Sequence, residues 1–491
     1  MEFSQLYYVF WFLPLFFLLY YLVGKFFGLR GKNIVLLFFS LFFYAWGEPV
    51  YVLLMVYSTF LDYFCGRAIG KAAAAGNTRR KKLFLGVSLA GNLGLLAVFK
   101  YLDLLLRTLN LLPFVNLPLA HIALPIGISF YTFQTMSYSI DVYRGEVAPQ
   151  KNILDFATFV TMFPQLVAGP VVRYSTVEKE LVYRKETLDD FALGLRRFFI
   201  GLAKKVLIAN VMGSIADSLY NPAVSSSVAA HLSYLGVLGS WVLVLAYTMQ
   251  IYFDFSGYSD MAIGIGRMMG FRFLENFNYP YISRSITEFW RRWHISMSTF
   301  FRDYVYIPLG GNRCSRARWI FNIIVVWFLT GLWHGAEWNF VLWGLYFAAL
   351  LLLERLFLGK WLAKLPVLNR VYALFFIVYG WVIFRAGGLS EILELTKALF
   401  GAYGLQGNGP SPAVTLLSQA GLGTVAILVF LIAVVASTPI LPKIKEKLST
   451  ASPRVARTVS TLGDVALLLL FFLSVAELAI GSYNPFIYFK F

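Results

Sequence analysis

Charge is what this sequence has least of. Only 14% of its 491 residues are Asp, Glu, Lys or Arg, and 59% are hydrophobic. Soluble domains carry about a quarter charged residues, so a set of soluble domains is excluded. Cysteine is almost absent. Cys65 and Cys314 are far apart in sequence and give neither a disulfide framework nor a metal-ligand cluster. There is no P-loop, no dinucleotide fingerprint, no Cys/His metal spacing and no serine in a nucleophile elbow. No metal site and no tightly bound cofactor are expected. No low-complexity region, internal repeat or soluble domain is visible.

What is there instead is a series of apolar runs of about 16 to 25 residues, near the ~20 that cross a bilayer as a helix. Inside lipid the backbone must satisfy its own hydrogen bonds, so helices follow. The ~10-residue alternation of a membrane β-barrel is missing. The candidate membrane helices are 5–23, 33–46, 50–64, 83–99, 122–140, 153–172, 191–212, 232–253, 319–335, 339–356, 368–384, 413–437 and 463–480. The segment 100–121 stays ambiguous, because Asp103, Arg107 and Pro113 interrupt it. The expectation is a single all-α polytopic membrane domain over 1–491.

Basic residues outnumber acidic ones, 42 to 25, for a net charge of +17. They cluster beside the apolar runs. Arg67, Lys71, Arg79, Arg80, Lys81 and Lys82 stand together with no acid, and Lys443, Lys445, Lys447, Arg454 and Arg457 stand around Glu446. That is the pattern of cytoplasmic loops, and it places 66–82, 313–318 and 439–459 on that side. No basic folded surface remains for nucleic acid. Residues 5–23 lack a leading positive charge, which predicts a retained helix with its N-terminus outside. The stretch 404–412 reads as a loop from its glycine and proline.

The segment 254–318 fits neither a span nor a water-exposed loop, and reads as interfacial or re-entrant. Within it, 284–305 has helical periodicity. Ile286, Phe289, Trp290, Trp293, Met297, Phe300, Phe301 and Tyr304 share one face, with Glu288, Arg292, Thr299 and Asp303 opposite.

Only four histidines exist: His121, His231, His294 and His334. His294 falls on that apolar face, and His334 lies late in an apolar run. Ionisable residues at membrane depth are costly and therefore functional candidates. The structural alternative for each is a hydrogen-bonded histidine between helices. The chemical reading is a base. Imidazole titrates near 6.5 and is available neutral at physiological pH, as acyl transfer to an alcohol requires. Asn339, the indole N–H of Trp333 or Trp338, and the backbone near Gly335 are candidate oxyanion donors. His334 lies 15 residues into its helix, roughly 22 Å, past the midplane of a ~30 Å hydrocarbon layer. His294 is expected shallower. Asp254 and Asp260 end an apolar run and either cap helices, bind a cation or orient a catalytic residue. Arg313, in Pro308-Leu-Gly-Gly-Asn-Arg313, either meets cofactor phosphates or closes an ordinary glycine turn.

At these residues the chain closely resembles the membrane-bound O-acyltransferase (MBOAT) family, in its alginate O-acetyltransferase membrane-subunit branch. The stretches that carry the likeness are Phe163-Pro-Gln-Leu-Val-Ala-Gly-Pro-Val-Val-Arg-Tyr174, Phe253–Gly264, Glu275-Asn-Phe-Asn-Tyr-Pro-Tyr281, Phe289-Trp-Arg-Arg-Trp-His294, Phe301–Arg313, Gly331-Leu-Trp-His-Gly335 and the ending Pro485–Phe491. The resemblance implies tilted and re-entrant helices ringing a central funnel, with His334 and His294 as the family histidines. It implies acetyl-CoA as a cytosolic acyl donor in a bacterial inner membrane. It also implies a separate periplasmic or extracellular acetyl-accepting protein that modifies a polysaccharide such as alginate. Two alternatives stay open: D-alanyl transfer towards teichoic acid, as in a sister branch, and a non-catalytic lipid or acyl transporter.

Overall fold

The computed structural model describes residues 1–491 apart from Ala168, 221–227, 408–422, Ala451, Ser482 and 488–491. Among the described residues there is no strand. Among the described residues nine helices are long and apolar enough to cross a membrane, or ten if one bent pair counts as a span. The protein is an all-α, multi-pass membrane protein.

Thirteen candidate runs become nine spans for local reasons. The runs 5–23 and 33–46 are two arms of one segment, Tyr8–Gly47, broken at Gly28, whose φ of 61° is open to glycine and avoided by residues with a β-carbon. The run 122–140 becomes Ile128–Arg144, buried nearly throughout, so its apolar side chains face protein. The run 153–172 breaks into Ile153–Thr161 and Phe163–Leu166. Met162 is non-helical there, and Pro164 stands in the first turn of the second piece, where its missing N–H is tolerated. Of the run 413–437, residues 413–422 lie outside the described residues, as do 408–412 of the predicted loop. In the ambiguous 100–121 stretch, Asp103 accepts the backbone N–H groups of Ala120 and His121 at 2.8 and 3.1 Å and folds the chain back.

The segment from 254 also departs from expectation. The helix Val228–Met268 runs through Asp254, Ser256 and Asp260, so none of them caps a helix end. The predicted 284–305 helix is two helices, Ile286–Arg292 and Ile295–Phe301. Its predicted apolar face nevertheless holds, since all of that face except Tyr304 is buried.

The described chain forms two compact units: Met1–Phe198 with Tyr258–Glu275, and Phe199–Gly257 with Asn276–Phe491. In the first, Phe3, Phe12, Phe16 and Phe43 pack around Phe163. Asp62 is fully buried. It accepts hydrogen bonds from Ser88, from Asn92 at 2.6 Å and from Ser139 at 2.6 Å. A buried carboxylate is tolerated because these donors replace its water.

In the second unit, Gly236 breaks its helix at φ 61°. The N–H groups freed just beyond it, on Val237 and Leu238, donate to Gly404 and Leu405 at 3.1 and 3.2 Å. A Cβ on Gly236 would meet the Gly407 nitrogen at 2.2 Å, so this junction requires glycine. Helices Arg316–His334 and Trp338–Leu353 form a hairpin. A Cβ on Gly331 would lie 2.4 Å from the Phe340 carbonyl oxygen, and one on Gly344 would lie 2.2 Å from that of Trp327. Small residues let the two backbones touch, as in membrane helix pairs.

Candidate active site

His294 sits where the helix it was expected to continue stops. Trp293 is extended, and His294 takes φ 45°, ψ 53°, as the N-cap of Ile295–Phe301. A non-glycine residue with positive φ is uncommon and points to a functional constraint. The break is held by neighbouring backbone: Asn278 N–H donates to Arg292 O at 2.9 Å and Ile295 N–H to Asn276 O at 3.0 Å. The start of the preceding helix is held by Glu354, whose carboxylate accepts the N–H groups of Ile286 and Thr287 and the Thr287 hydroxyl.

The His294 ring is fully buried. Its Nδ1 lies 3.3 Å from Asn276 Oδ1, which also accepts the Ser296 backbone N–H at 3.2 Å and the Ser296 hydroxyl at 2.8 Å. The backbone N–H is an obligatory donor, so that amide atom is the oxygen. Nδ1 of His294 therefore carries the hydrogen, and the lone pair is on Nε2. Among the described residues Nε2 has no hydrogen-bond partner. Burial pushes the imidazole pKa down to about 3, so the ring is neutral throughout the physiological range.

His334 is the last residue of its helix and is buried. Its ring centroid lies 6.5 Å from that of His294. At that distance the two imidazoles occupy one site, so their ring centres differ in depth by no more than 6.5 Å. The C-terminal end of Arg316–His334 and the break before Ile295 deliver them to the same place. Aromatic rings wall it. Trp333 and Trp343 stand edge-on to His334 at 4.9 Å, Phe384 at 5.3 Å, and Phe255 packs against His294 at 4.6 Å. Arg385 anchors Phe384 from the next position, through an ion pair to Asp217 at 2.8 Å and the ring of Tyr247.

The proposed oxyanion donors separate. Trp333 lies in the site, 5.7 Å from His294. Trp338 is 53% exposed and does not serve. The Gly335 N–H is directed back to Gly331 O at 3.4 Å. Asn339 donates to Ala386 O at 2.7 Å and ties the hairpin to the end of Leu368–Arg385. Trp343 is fully buried, and its indole N–H has no partner among the described residues. Sequence reasoning missed Trp343, Phe384, Phe255 and Asn276. Asn276 and Phe255 carried a signal, within the 275–281 and 253–264 motifs.

Asp254 orients neither histidine. It is buried with Lys205 at 2.8 Å and accepts the Ile487 N–H at 2.8 Å. Lys205 also reaches Asn210 and the Pro485 carbonyl, and Asn210 donates to Asn484. Asp260 pairs with Arg197 at 2.8 Å. Among the described residues no acidic, histidine or cysteine cluster fits a metal. Arg313 is exposed at the end of a turn in which Gly310 and Gly311 have φ 110° and 55°. The N–H groups of Gly310, Gly311 and Arg313 donate within that turn, so they form no phosphate cradle. The helix starting at Arg316 has 19 residues and separates Arg313 from His334 by roughly 27 Å.

Comparison with known proteins gives the family. The family description "MBOAT, membrane-bound O-acyltransferase family" matches residues 95–390, which include both histidines. The chain is 41% identical over the full length of both proteins to the probable alginate O-acetylase AlgI of Azotobacter vinelandii. It is 36% identical to the peptidoglycan O-acetyltransferase of Helicobacter pylori, over 81% of this chain and 79% of that one. It is 30% identical to the teichoic acid D-alanyltransferase of Bacillus subtilis, over 53% and 68%. The family match over residues 95–390, together with 41% identity over the full length of an alginate O-acetylase, makes this chain a member of the membrane-bound O-acyltransferase family.

Proposed function

We propose that this protein transfers acetyl from a cytosolic thioester, acetyl-CoA, to a hydroxyl acceptor, for O-acetylation of an exported polysaccharide such as alginate. The observation that carries this reading is the pair of buried imidazoles 6.5 Å apart, one of them fixed as the Nδ1–H tautomer by Asn276. The names of the relatives, alginate and peptidoglycan O-acetylating proteins, support acetyl and a glycan. The D-alanyl alternative rests on a more distant relative that matches about half the chain.

In this mechanism His334 takes the proton of the acceptor hydroxyl as its oxygen bonds to the thioester carbonyl carbon. The Trp343 indole N–H faces the oxyanion that develops. The C–S bond then breaks, and the imidazolium returns its proton to the leaving thiolate. The reacting O–H gives its single hydrogen to His334, so Nε2 of His294, an acceptor only, accepts from a second donor of the acceptor molecule and helps aim the reacting oxygen at the carbonyl. The aromatic walls exclude water, which would otherwise hydrolyse the thioester. In a bacterial inner membrane the acceptor is a separate periplasmic or extracellular protein that passes acetyl on to the polymer.

The test uses the full chain reconstituted in vesicles with labelled acetyl-CoA. His334→Ala is expected to abolish transfer while inserting normally, and wild-type transfer by that variant overturns the role given to His334. Robust polymer acetylation by this chain alone overturns the hand-off.

A further inference from the structure

A cavity of about 410 Å³ has no histidine in its lining. Ile282, Arg284, Glu288, Arg292, Arg370 and Lys443 line it, four cations to one carboxylate. Glu288 is already satisfied. One oxygen pairs with Arg292 at 2.9 Å, and the other accepts the Arg284 backbone N–H at 2.9 Å. Among the described residues, Arg284, Arg370 and Lys443 have no acidic partner within ion-pair distance. Three elements far apart in sequence thus bring unneutralised cations to one concave place, which is a site for an anion.

The surroundings say which anion. Lys443 belongs to the helix Ile440–Ser449. There Ile440, Leu441, Ile444 and Leu448 are all exposed and fall within 100° of one another at 100° per residue. A short amphipathic helix with Lys443 and Lys447 along one edge of an apolar face lies in the membrane interface. Arg370 begins a membrane span, and on that helix Leu368, Val371 and Leu374 are exposed. Lipid-facing apolar surface therefore borders the pocket on two elements. A soluble phosphate compound has no use for that surface, whereas a lipid's acyl chains cover it.

We propose that this pocket binds the phosphate headgroup of an anionic membrane phospholipid, with its acyl chains along Ile444 and Val371. The site is independent of the acetyl-transfer reading, and its Arg292 stands two residues before His294.

The full-length protein is purified, placed in nanodiscs of phosphatidylcholine with or without phosphatidylglycerol, and its retained lipid is weighed by native mass spectrometry. The wild type is expected to retain phosphatidylglycerol in preference to phosphatidylcholine. An Arg284→Gln, Arg370→Gln double variant is expected to bind it roughly 30-fold more weakly, the loss of two basic contacts at a membrane surface. Arg284→Lys with Arg370→Lys keeps the charge and is expected to retain the lipid, which separates lost binding from misfolding. The KM for acetyl-CoA stays unchanged in the glutamine variant. Equal retention of phosphatidylglycerol by the wild type and the glutamine variant overturns the proposal, as does retention indifferent to lipid charge. A raised KM for acetyl-CoA with lipid binding intact overturns it in favour of the donor's phosphates.

Discussion

Asn276 Oδ1 lies 3.3 Å from His294 Nδ1 while holding both the backbone N–H and the hydroxyl of Ser296. One amide oxygen therefore fixes the backbone at the helix break and the tautomer of the imidazole beside it. Asn276→Ala removes the acceptor, and kcat is expected to fall on the order of 10²-fold, as for a misoriented catalytic group. Asn276→Asp keeps an acceptor and is expected to retain most activity. Parallel losses in the two variants sink the tautomer argument.

Stability should fall on mild acidification. The imidazole of His294 is pushed down to about 3 by burial, while an unfolded histidine titrates near 6.5. Below pH 6.5 the unfolded chain binds a proton that the native ring does not, so native stability drops as pH falls towards 3. Between pH 7.5 and 5 this amounts to about 2 kcal/mol. Thermal unfolding in detergent, compared with a His294→Gln protein, isolates the effect. An equal acid loss in both proteins counts against it.

Gly331→Ala should inactivate without unfolding. Its β-carbon would stand 2.4 Å from a backbone oxygen, an atom that cannot rotate away. The two arms of the hairpin must separate, and His334, three residues on, moves with them. A loss of activity of 10-fold or more is expected, on the principle that a 1 Å misplacement costs about 10²-fold. Membrane yield should be near normal, and transfer at the wild-type rate contradicts the prediction.

Much of this was readable beforehand, and the misses have physical causes. The multi-pass architecture followed from the scarcity of charge. The burial of Phe289, Trp290, Trp293 and Met297 followed from helical spacing. The same spacing hid the break at His294, because a single left-handed residue preserves apolar order on either side of it. Trp343 and Phe384 gave no sign, since an aromatic in an apolar span looks alike whether it meets lipid or an imidazole. Asp254 looked like a cap because its neighbours turned polar. Its partner Lys205 stands 49 positions earlier, and sequence order does not encode such a pairing.

The pair formed by Lys205 and Asp254 yields a charge-removal test. Both side chains are almost wholly buried. Asp254→Asn alone strands the ammonium and is expected to cost about 3–5 kcal/mol. Adding Lys205→Met should recover a large part of that loss. If the double variant is less stable than Asp254→Asn, the pairing is not what holds the region.

Timing gives this clamp a further meaning. Ile487, whose N–H binds Asp254, is made 233 residues after it. At ribosomal speeds of 5–20 residues per second, that is a wait of roughly 10–50 s. Throughout it, Lys205 and Asp254, each within the body of its helix, hold one another while their last backbone partners do not yet exist. A nascent chain is thus marked as unfinished by its own interior until Asn484 to Ile487 arrive. Membrane proteases that sample loosely held helices would find every copy truncated before Asn484 in that open condition, though both histidines are already made.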